Sequence, residues 1–192
     1  MINKKLFFIL LFLCSVALCA GSFFEVYMEG AGKEQLKDLL SSFLSENNNI
    51  SFLRLFLENA KSWFLIWIIL LSCPILPLLA VYGPIICIIK GLSVGFSATM
   101  IVESFGLKGI WYILISIVPQ NIIQLPITCL LSALSIKMSI LFLKFYTQRK
   151  GRKKNKNALL TATRHYLIIF IVSFLILLIS CLIEAFLKQF VL

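Results

Sequence analysis

Charged residues are scarce in this chain of 192 amino acids. They make up 14% of the sequence, whereas a typical soluble domain carries about 25%. Hydrophobic residues account for 60%, and the mean hydropathy is +1.00. This composition excludes a soluble globular domain. The predicted fold class is all-α, a polytopic bundle of membrane-spanning helices that forms one domain over residues 1–192.

Residues that usually carry catalysis are also few. The single histidine, His165, follows Arg164 at the edge of an apolar segment. No HExxH, Gly-x-Ser-x-Gly or P-loop motif is present, and the acids predicted to lie in the membrane, Glu103 and Glu184, fall near helix ends. The sequence therefore predicts no catalytic residues and no enzyme activity.

The six cysteines do not indicate a metal or cofactor site. They all fall in apolar segments, they form no CxxC pair, and none has a histidine at ligand spacing. Cysteines in such segments are expected to pack as small hydrophobic side chains. No cofactor is predicted.

The two signs of charge are distributed unevenly along the chain. From Lys144 to Arg164 there are eight basic residues and no acidic one, whereas from Ser22 to Lys61 there are six acidic and four basic residues. The positive-inside rule places the basic block in the cytoplasm and the mixed block outside. Anionic lipid headgroups, rather than nucleic acid, are the expected partner of the basic block.

The apolar runs predict five crossings of the membrane. The predicted spans cover residues 5–24, 59–82, 84–105, 110–145 and 166–187, with an extracytoplasmic segment at 25–58 and a basic cytoplasmic loop at 146–165. Trp63 and Trp67 are expected to mark the interface where the second span begins. A boundary at Lys90–Gly91 is the alternative to the predicted turn at 81–84.

The first apolar run is predicted to remain in the protein. A short basic segment followed by apolar residues is typical of a signal sequence, but Leu18 makes a poor cleavage site. We therefore expect an uncleaved helix whose N-terminus lies in the cytoplasm. Five crossings then place the C-terminus outside the cell membrane.

The extracytoplasmic segment contains a predicted amphipathic helix. Its apolar residues recur at helical spacing, and they are Leu36, Leu39, Leu40, Phe43 and Leu44. Two interpretations remain open, and they are compatible. The helix could rest on the outer leaflet, or it could be a docking surface for an external partner.

The fourth span contains a polar segment between two prolines. The run 110–145 is too long for one straight crossing, and Pro119, Gln120, Asn121, Gln124 and Pro126 interrupt it. One interpretation is a proline-broken helix inside the bundle, and the other is a polar site with a binding function. We expect Asn121 to hydrogen-bond a neighbouring helix near Gly91 or Gly95.

The third span carries a lysine and two glycines. Lys90 either extends its amine to the cytoplasmic interface or acts as a functional intramembrane charge. Gly91 and Gly95 lie four residues apart and allow the close approach of another helix.

An ordered set of short motifs resembles the stage II sporulation protein M family. The resemblance covers about residues 5–145, and Ile75 departs from it because the family tends to carry glycine there. The motifs are the exit of the first span at Gly21–Phe24, Phe56 with Asn59, Pro77, Lys90–Phe96, Gly106–Gly109, Val118–Asn121 and Pro126.

The resemblance implies a role in engulfment by endospore-forming bacteria. By this resemblance, the chain is expected to be a non-catalytic membrane scaffold of the sporulation septum. The resemblance also implies that it recruits two enzymes of the engulfment complex that degrade peptidoglycan, an amidase (protein P) and a lytic transglycosylase (protein D). Under this hypothesis the segment with Leu36, Leu39, Leu40, Phe43 and Leu44 faces the partners.

The alternative hypothesis is a permease or flippase-like transporter. Transporters use broken helices with polar residues near the membrane midplane to bind substrate, and the segment 119–126 has that character. Five spans without a visible inverted repeat argue against it, although a homo-oligomer could restore the symmetry.

Overall fold

A computed structural model of the chain describes residues 4–28, 33–38, 52–74, 80–147 and 152–191. These residues are almost wholly helical, and the predicted all-α membrane bundle is confirmed. The helices are α1 (Lys4–Val26), α2 (Phe52–Ser72), α3 (Tyr82–Phe105), α4 (Leu107–Tyr112), α5 (Val118–Thr147) and α6 (Arg152–Val191). Residues 33–38 form one further helical segment, and a π-helical turn, Ile113–Ile117, joins α4 to α5.

Helices α1 and α3 form the most extensive pair among the described residues. They run parallel, because Gly91 meets the backbone at Cys14, and Gly95, four residues later, meets it at Leu18. Helix α5 runs in the opposite direction to α3: Gly83, at the start of α3, contacts Ser132 in the second half of α5.

The remaining directions follow from contacts of α2. Ser135 of α5 bonds to Leu70, and Ser139 bonds to Cys73, so α2 and α5 are parallel. Tyr166, early in the apolar part of α6, also bonds to Leu70, and Trp63 packs against Leu177 farther along α6. The five long helices therefore alternate in direction along the chain, as consecutive membrane crossings do.

Four of the described helices are long and apolar enough to cross a membrane. They are α1, α3, α5 and the part of α6 at Leu159–Leu187. Helix α2 is the element that corresponds to the predicted second span, but it begins at Phe52 instead of residue 59 and ends at Ser72. The segment predicted as a cytoplasmic loop at 146–165 is largely helical, because α6 already begins at Arg152.

The proline-containing region after α4 is a continuous helix with a wide turn. The π-helical turn ends just before Val118, and Pro119 follows it directly, so the wider turn accommodates the proline ring and its missing N–H. Pro126 lies inside α5 without ending it. The predicted break into two half-helices is therefore a π-bulge followed by a proline within one helix, a common way to absorb a proline.

Candidate functional site

The two ends of the bundle differ in the charged residues that they carry. The end that holds Val26, Phe52 and Phe105 is called the acidic end here, because all six described acidic residues belong to the segments that lie at or near it. The basic end holds the first residues of α1, with Lys4 and Lys5, the last residue of α5, Thr147, and the first residue of α6, Arg152. An uneven distribution of basic residues of this kind is what the positive-inside rule describes.

An ion cluster fixes the helical segment 33–38 to the acidic end. Lys33 Nζ lies 2.7 Å from Glu103 Oε2 of α3 and 3.4 Å from Glu25 Oε1 of α1. Lys37 Nζ lies 2.9 Å from Glu103 Oε1. Lys33 also donates a hydrogen bond to the backbone oxygen of Glu25, at 3.3 Å. The segment is thereby tied to the ends of two parallel helices.

The hydrogen bond to Glu103 raises the pKa of Lys33 above its ordinary value.

Glu25 is the member of this cluster that the sequence did not reveal, since it falls in the segment predicted to be external and is nevertheless only 1% exposed. The signal that could have revealed it is its spacing from Gly21, one helical turn earlier on the face that meets α3.

The predicted partner-binding residues are only partly described. Leu36 lies in the helical segment 33–38 and is half-buried, whereas Glu34 and Gln35 are exposed. The other four, Leu39, Leu40, Phe43 and Leu44, lie outside the described residues.

Gly91 and Gly95 form the contact surface of α3 for α1. A Cβ atom at Gly91 would lie 2.5 Å from the backbone oxygen of Cys14, and one at Gly95 would overlap the backbone oxygen of Leu18. Ser22 of α1 also bonds to the oxygen of Gly95, at 3.3 Å. The glycines therefore serve the close packing of α3 against α1. Asn121 was expected to bond near them, but the atoms nearest to both glycines belong to α1.

Lys90 is turned into the bundle. Its ammonium lies 4.2 Å from the ring centroid of Trp63, a cation–π contact, and it interacts electrostatically with Glu184 and Cys181 of α6. Trp63 is only 6% exposed, so the expectation that it marks the interface is wrong. Helix α2 begins at Phe52, earlier than predicted, which moves this tryptophan to mid-helix.

Further polar side chains lie at a depth in the bundle similar to that of Lys90. The contact between Gly83 and Ser132 fixes the register of the antiparallel helices α3 and α5. From that contact, Lys90 lies about two helical turns along α3, and Gln124 lies about two turns back along α5. Two further residues lie at this depth, Asn59, one turn from Trp63 on α2, and Ser180, beside Cys181 on α6. We call the set of Lys90, Glu184, Asn59, Gln124 and Ser180 the interior polar cluster.

Three members of this cluster have buried atoms without a hydrogen-bond partner. They are Nδ2 of Asn59, Nε2 of Gln124 and Oγ of Ser180. The side chains of Gln124 and Ser180 are 1% and 0% exposed. Buried polar atoms in native proteins almost always have a partner, which can be water, so this arrangement is the clearest indication of a site in the bundle interior.

The polar residues between Pro119 and Pro126 point in different directions. Gln120 donates to Gln124 Oε1 at 3.2 Å and so joins the interior polar cluster. Asn121 donates to the backbone oxygen of Ile117 at 2.8 Å. The expected bond from Asn121 to a neighbouring helix is therefore wrong, because the adjacent π-turn leaves a carbonyl of its own helix within reach.

Asn121 and Pro126 line an apolar groove of about 540 Å³ between α1, α3 and α5. Leu11, Cys14 and Leu18 of α1 form its opposite wall. The polar groups at this groove are internally bonded, as Ser15 donates to the oxygen of Leu11. Asn121 and Gln124 thus face two different environments.

Antiparallel apolar helices, an interior polar cluster and acidic residues gathered toward one end define an integral membrane protein of the all-α class. The chain belongs to the stage II sporulation protein M family, whose family model matches residues 6–188. No match to a curated protein or to a solved structure was found. Family membership makes this a sporulation-related membrane protein.

Proposed function

We propose that this protein is a non-catalytic scaffold in the cell membrane that localises peptidoglycan-degrading enzymes at the sporulation septum during engulfment. Its partners in this proposal are the amidase (protein P) and the lytic transglycosylase (protein D) of the engulfment complex. The N-terminus and the basic end face the cytoplasm, and the acidic end and the C-terminus face the compartment that contains the cell wall.

One observation carries the proposal, the ion cluster at the acidic end. Lys33 and Lys37 of the segment 33–38 form ion pairs with Glu25 and Glu103. These two glutamates lie near the ends of α1 and α3, and the two helices pack closely against each other at glycine residues. A segment held in this way keeps Leu36, the first of the predicted docking residues, at the acidic end of the bundle. Anchoring to lipid alone needs no such attachment, since an apolar face is enough for it.

The scaffold proposal is tested by charging the predicted docking face. The variant with both Leu40→Glu and Phe43→Glu should lose co-purification of the two enzymes and their septal localisation, while protein abundance stays at the wild-type value. Gln35→Glu is the control for an added negative charge in this region, because it places one glutamate at an exposed position of the segment 33–38. Undisturbed co-purification in the double variant would overturn the docking role of this face.

Anionic lipid is the proposed partner at the basic end. Helix α6 begins at Arg152, so the basic residues of its first turns, such as Lys153 and Lys154, continue a helix that is long and apolar enough to span a membrane. Basic residues in that position gain about 1 kcal/mol each from an anionic membrane surface.

A transporter is the second candidate function, and the unpartnered Nε2 of Gln124 favours it. Gln120 and Gln124 are the members of the segment 119–126 that face other polar groups. A transporter predicts that polar substitutions in this segment change function selectively without lowering the amount of protein. A scaffold predicts that function follows protein abundance.

A further inference from the structure

The interior polar cluster lies among apolar side chains that cannot satisfy it. Trp63, Leu177 and Cys181 form a buried group, and Ile127 packs against it. Gln124 is one turn from Ile127, and Asn59 is one turn from Trp63. Three unpartnered polar atoms and the Lys90 ammonium therefore face a region that offers few acceptors.

The chemistry of the cluster indicates its ligand. Asn59 and Gln124 contribute amide N–H donors, Ser180 contributes a hydroxyl, and Lys90 contributes an ammonium. The carboxylate of Glu184 balances the charge of Lys90, so the site has no excess charge that would select an anion. Water fits these demands, because each molecule both accepts and donates hydrogen bonds and buried waters typically make about three of them.

We propose that the interior polar cluster is a hydrated site within the membrane-spanning part of the bundle. Water bound there joins Asn59, Gln124 and Ser180 to the Lys90–Glu184 pair. Toward the basic end the site is closed by an apolar cluster that includes Leu70, Leu134 and Phe170. This inference does not depend on the scaffold proposal.

The protein carries its own probe of this water. Cys181 is completely buried beside Lys90 and Glu184. Small methanethiosulfonate reagents react with a thiolate, which forms a disulfide and releases a sulfinate, and a thiolate forms where water is present. Cys73 is equally buried but belongs to the apolar cluster that closes the site. Cys19 is exposed on α1, on a surface that faces lipid in a membrane.

The experiment uses the unaltered chain in lipid vesicles, a small methanethiosulfonate reagent, and mass spectrometry to locate each modified cysteine. We expect Cys181 to be modified at least about tenfold faster than Cys73, because only a hydrated thiol ionises readily. A rate at Cys181 no greater than that at Cys73 would show a dry interior and overturn the proposal.

A variant adds a second measurement. Lys90→Met should lower the rate at Cys181 severalfold, since it removes the cation that favours the nearby thiolate. Lys108→Met, at an exposed position of α4, is the matched control and should leave that rate unchanged. Equal rates in both variants would contradict the placement of Cys181 beside Lys90. The result on the unaltered chain stands even if Lys90→Met fails to fold.

Discussion

Pro74, just after α2, has no backbone N–H to donate. In a continuing helix, the carbonyl oxygen that would receive this donor belongs to Leu70, four residues earlier. Side chains of other helices bond to this oxygen and to that of Cys73 instead. Ser135 Oγ and Tyr166 Oη reach the oxygen of Leu70 at 2.8 Å and 2.9 Å, and Ser139 Oγ reaches that of Cys73 at 3.0 Å.

Combined removal of the two hydroxyls at Leu70 should destabilise the protein more than the single changes suggest. In Ser135→Ala or Tyr166→Phe, one hydroxyl still serves the carbonyl, so the effect should be small. The double variant leaves it without a side-chain donor in an apolar cluster and should cost about 1–2 kcal/mol. Thermal unfolding in mild detergent measures this.

Ser62→Ala is the control for these variants, because the hydroxyl of Ser62 is exposed and bonds only within its own helix. Its melting temperature should match that of the unaltered protein. A double variant that melts together with this control would contradict the assigned role of the hydroxyls.

Asn121 stabilises the turn that precedes it, so its removal should be mild. We expect Asn121→Ala and Asn121→Leu to lower stability by about 0.6 kcal/mol, with a matching small loss of abundance and with engulfment retained. Steady-state abundance, detergent melting and engulfment are measured for these variants and for Asn121→Asp. Loss of engulfment at unchanged abundance and melting would favour the transporter instead.

At the scale of elements, the pairing of α1 with α3 depends on small residues. Gly21 of α1 meets the backbone of Leu92, and Gly91 and Gly95 meet the backbone of α1. In lipid, no hydrophobic effect drives two apolar helices together, so close packing and hydrogen bonds must do so. The pair carries the ion cluster at its acidic end.

Gly95→Ala should therefore separate α1 from α3 and lower the melting temperature, although alanine favours a helix by about 1 kcal/mol over glycine. The added methyl would meet a backbone oxygen, which cannot move independently of its helix. Gly83→Ala is the matched control in the same helix, since its Cβ would lie 3.2 Å from the side chain of Ser132. A smaller loss of stability in Gly95→Ala than in Gly83→Ala would contradict this packing.

The ion cluster should determine how firmly the external segment is held. Lys33→Gln combined with Lys37→Gln removes every described contact of Glu103 with these lysines and should make residues 29–51 more sensitive to limited proteolysis in membranes. Lys61→Gln, at an exposed position of α2, is the control and should be cleaved like the unaltered protein. Equal cleavage of all three proteins would show that the cluster does not hold the segment.

The same cluster has a defined dependence on pH. The pKa of Lys33 is raised in the folded protein, so its stabilising contact is fully present below the ordinary lysine pKa. It is lost only as the pH rises through the raised value. Between neutral pH and pH 9, proteolysis of the segment should stay constant.

At the scale of the whole molecule, the alternating directions of five long helices place the two ends of the described chain on opposite sides of the bundle. The described acidic residues lie at or near one end, and Lys4, Lys5 and Arg152 begin their helices at the other. Charge and helix direction together predict a single orientation, with the basic end in the cytoplasm.

Cysteine labelling in intact cells tests this orientation. A cysteine at Asn48 should react with a bulky impermeant maleimide, and one at Asn155 should react only after the cells are opened. A bulky reagent is chosen because it cannot reach native cysteines inside the bundle, and the unaltered protein gives the background. Labelling of both positions in intact cells, or the reverse pattern, would overturn the orientation.

Part of the site could be predicted from local sequence. Lys90 is visible as an isolated charge in an apolar run, and Gly91 and Gly95 are visible as small residues on one helical face. The partners of Lys90 could not be predicted. Trp63 belongs to an earlier helix and Glu184 to the last one, so both are distant from Lys90 in sequence and only packing brings them together.

The sequence by itself determined the class of protein, the approximate number of crossings and the distribution of charge. The free energy of transferring a segment into lipid and the charge of a loop are each sums over neighbouring residues, so both can be read from the sequence. Tertiary structure alone decided where polar groups in the membrane find partners. A buried carboxamide or unpaired carbonyl needs a hydrogen bond, but the sequence does not determine which helix provides the partner. Asn121 finds its partner in its own helix, whereas the carbonyl of Leu70 finds one in a helix distant in sequence.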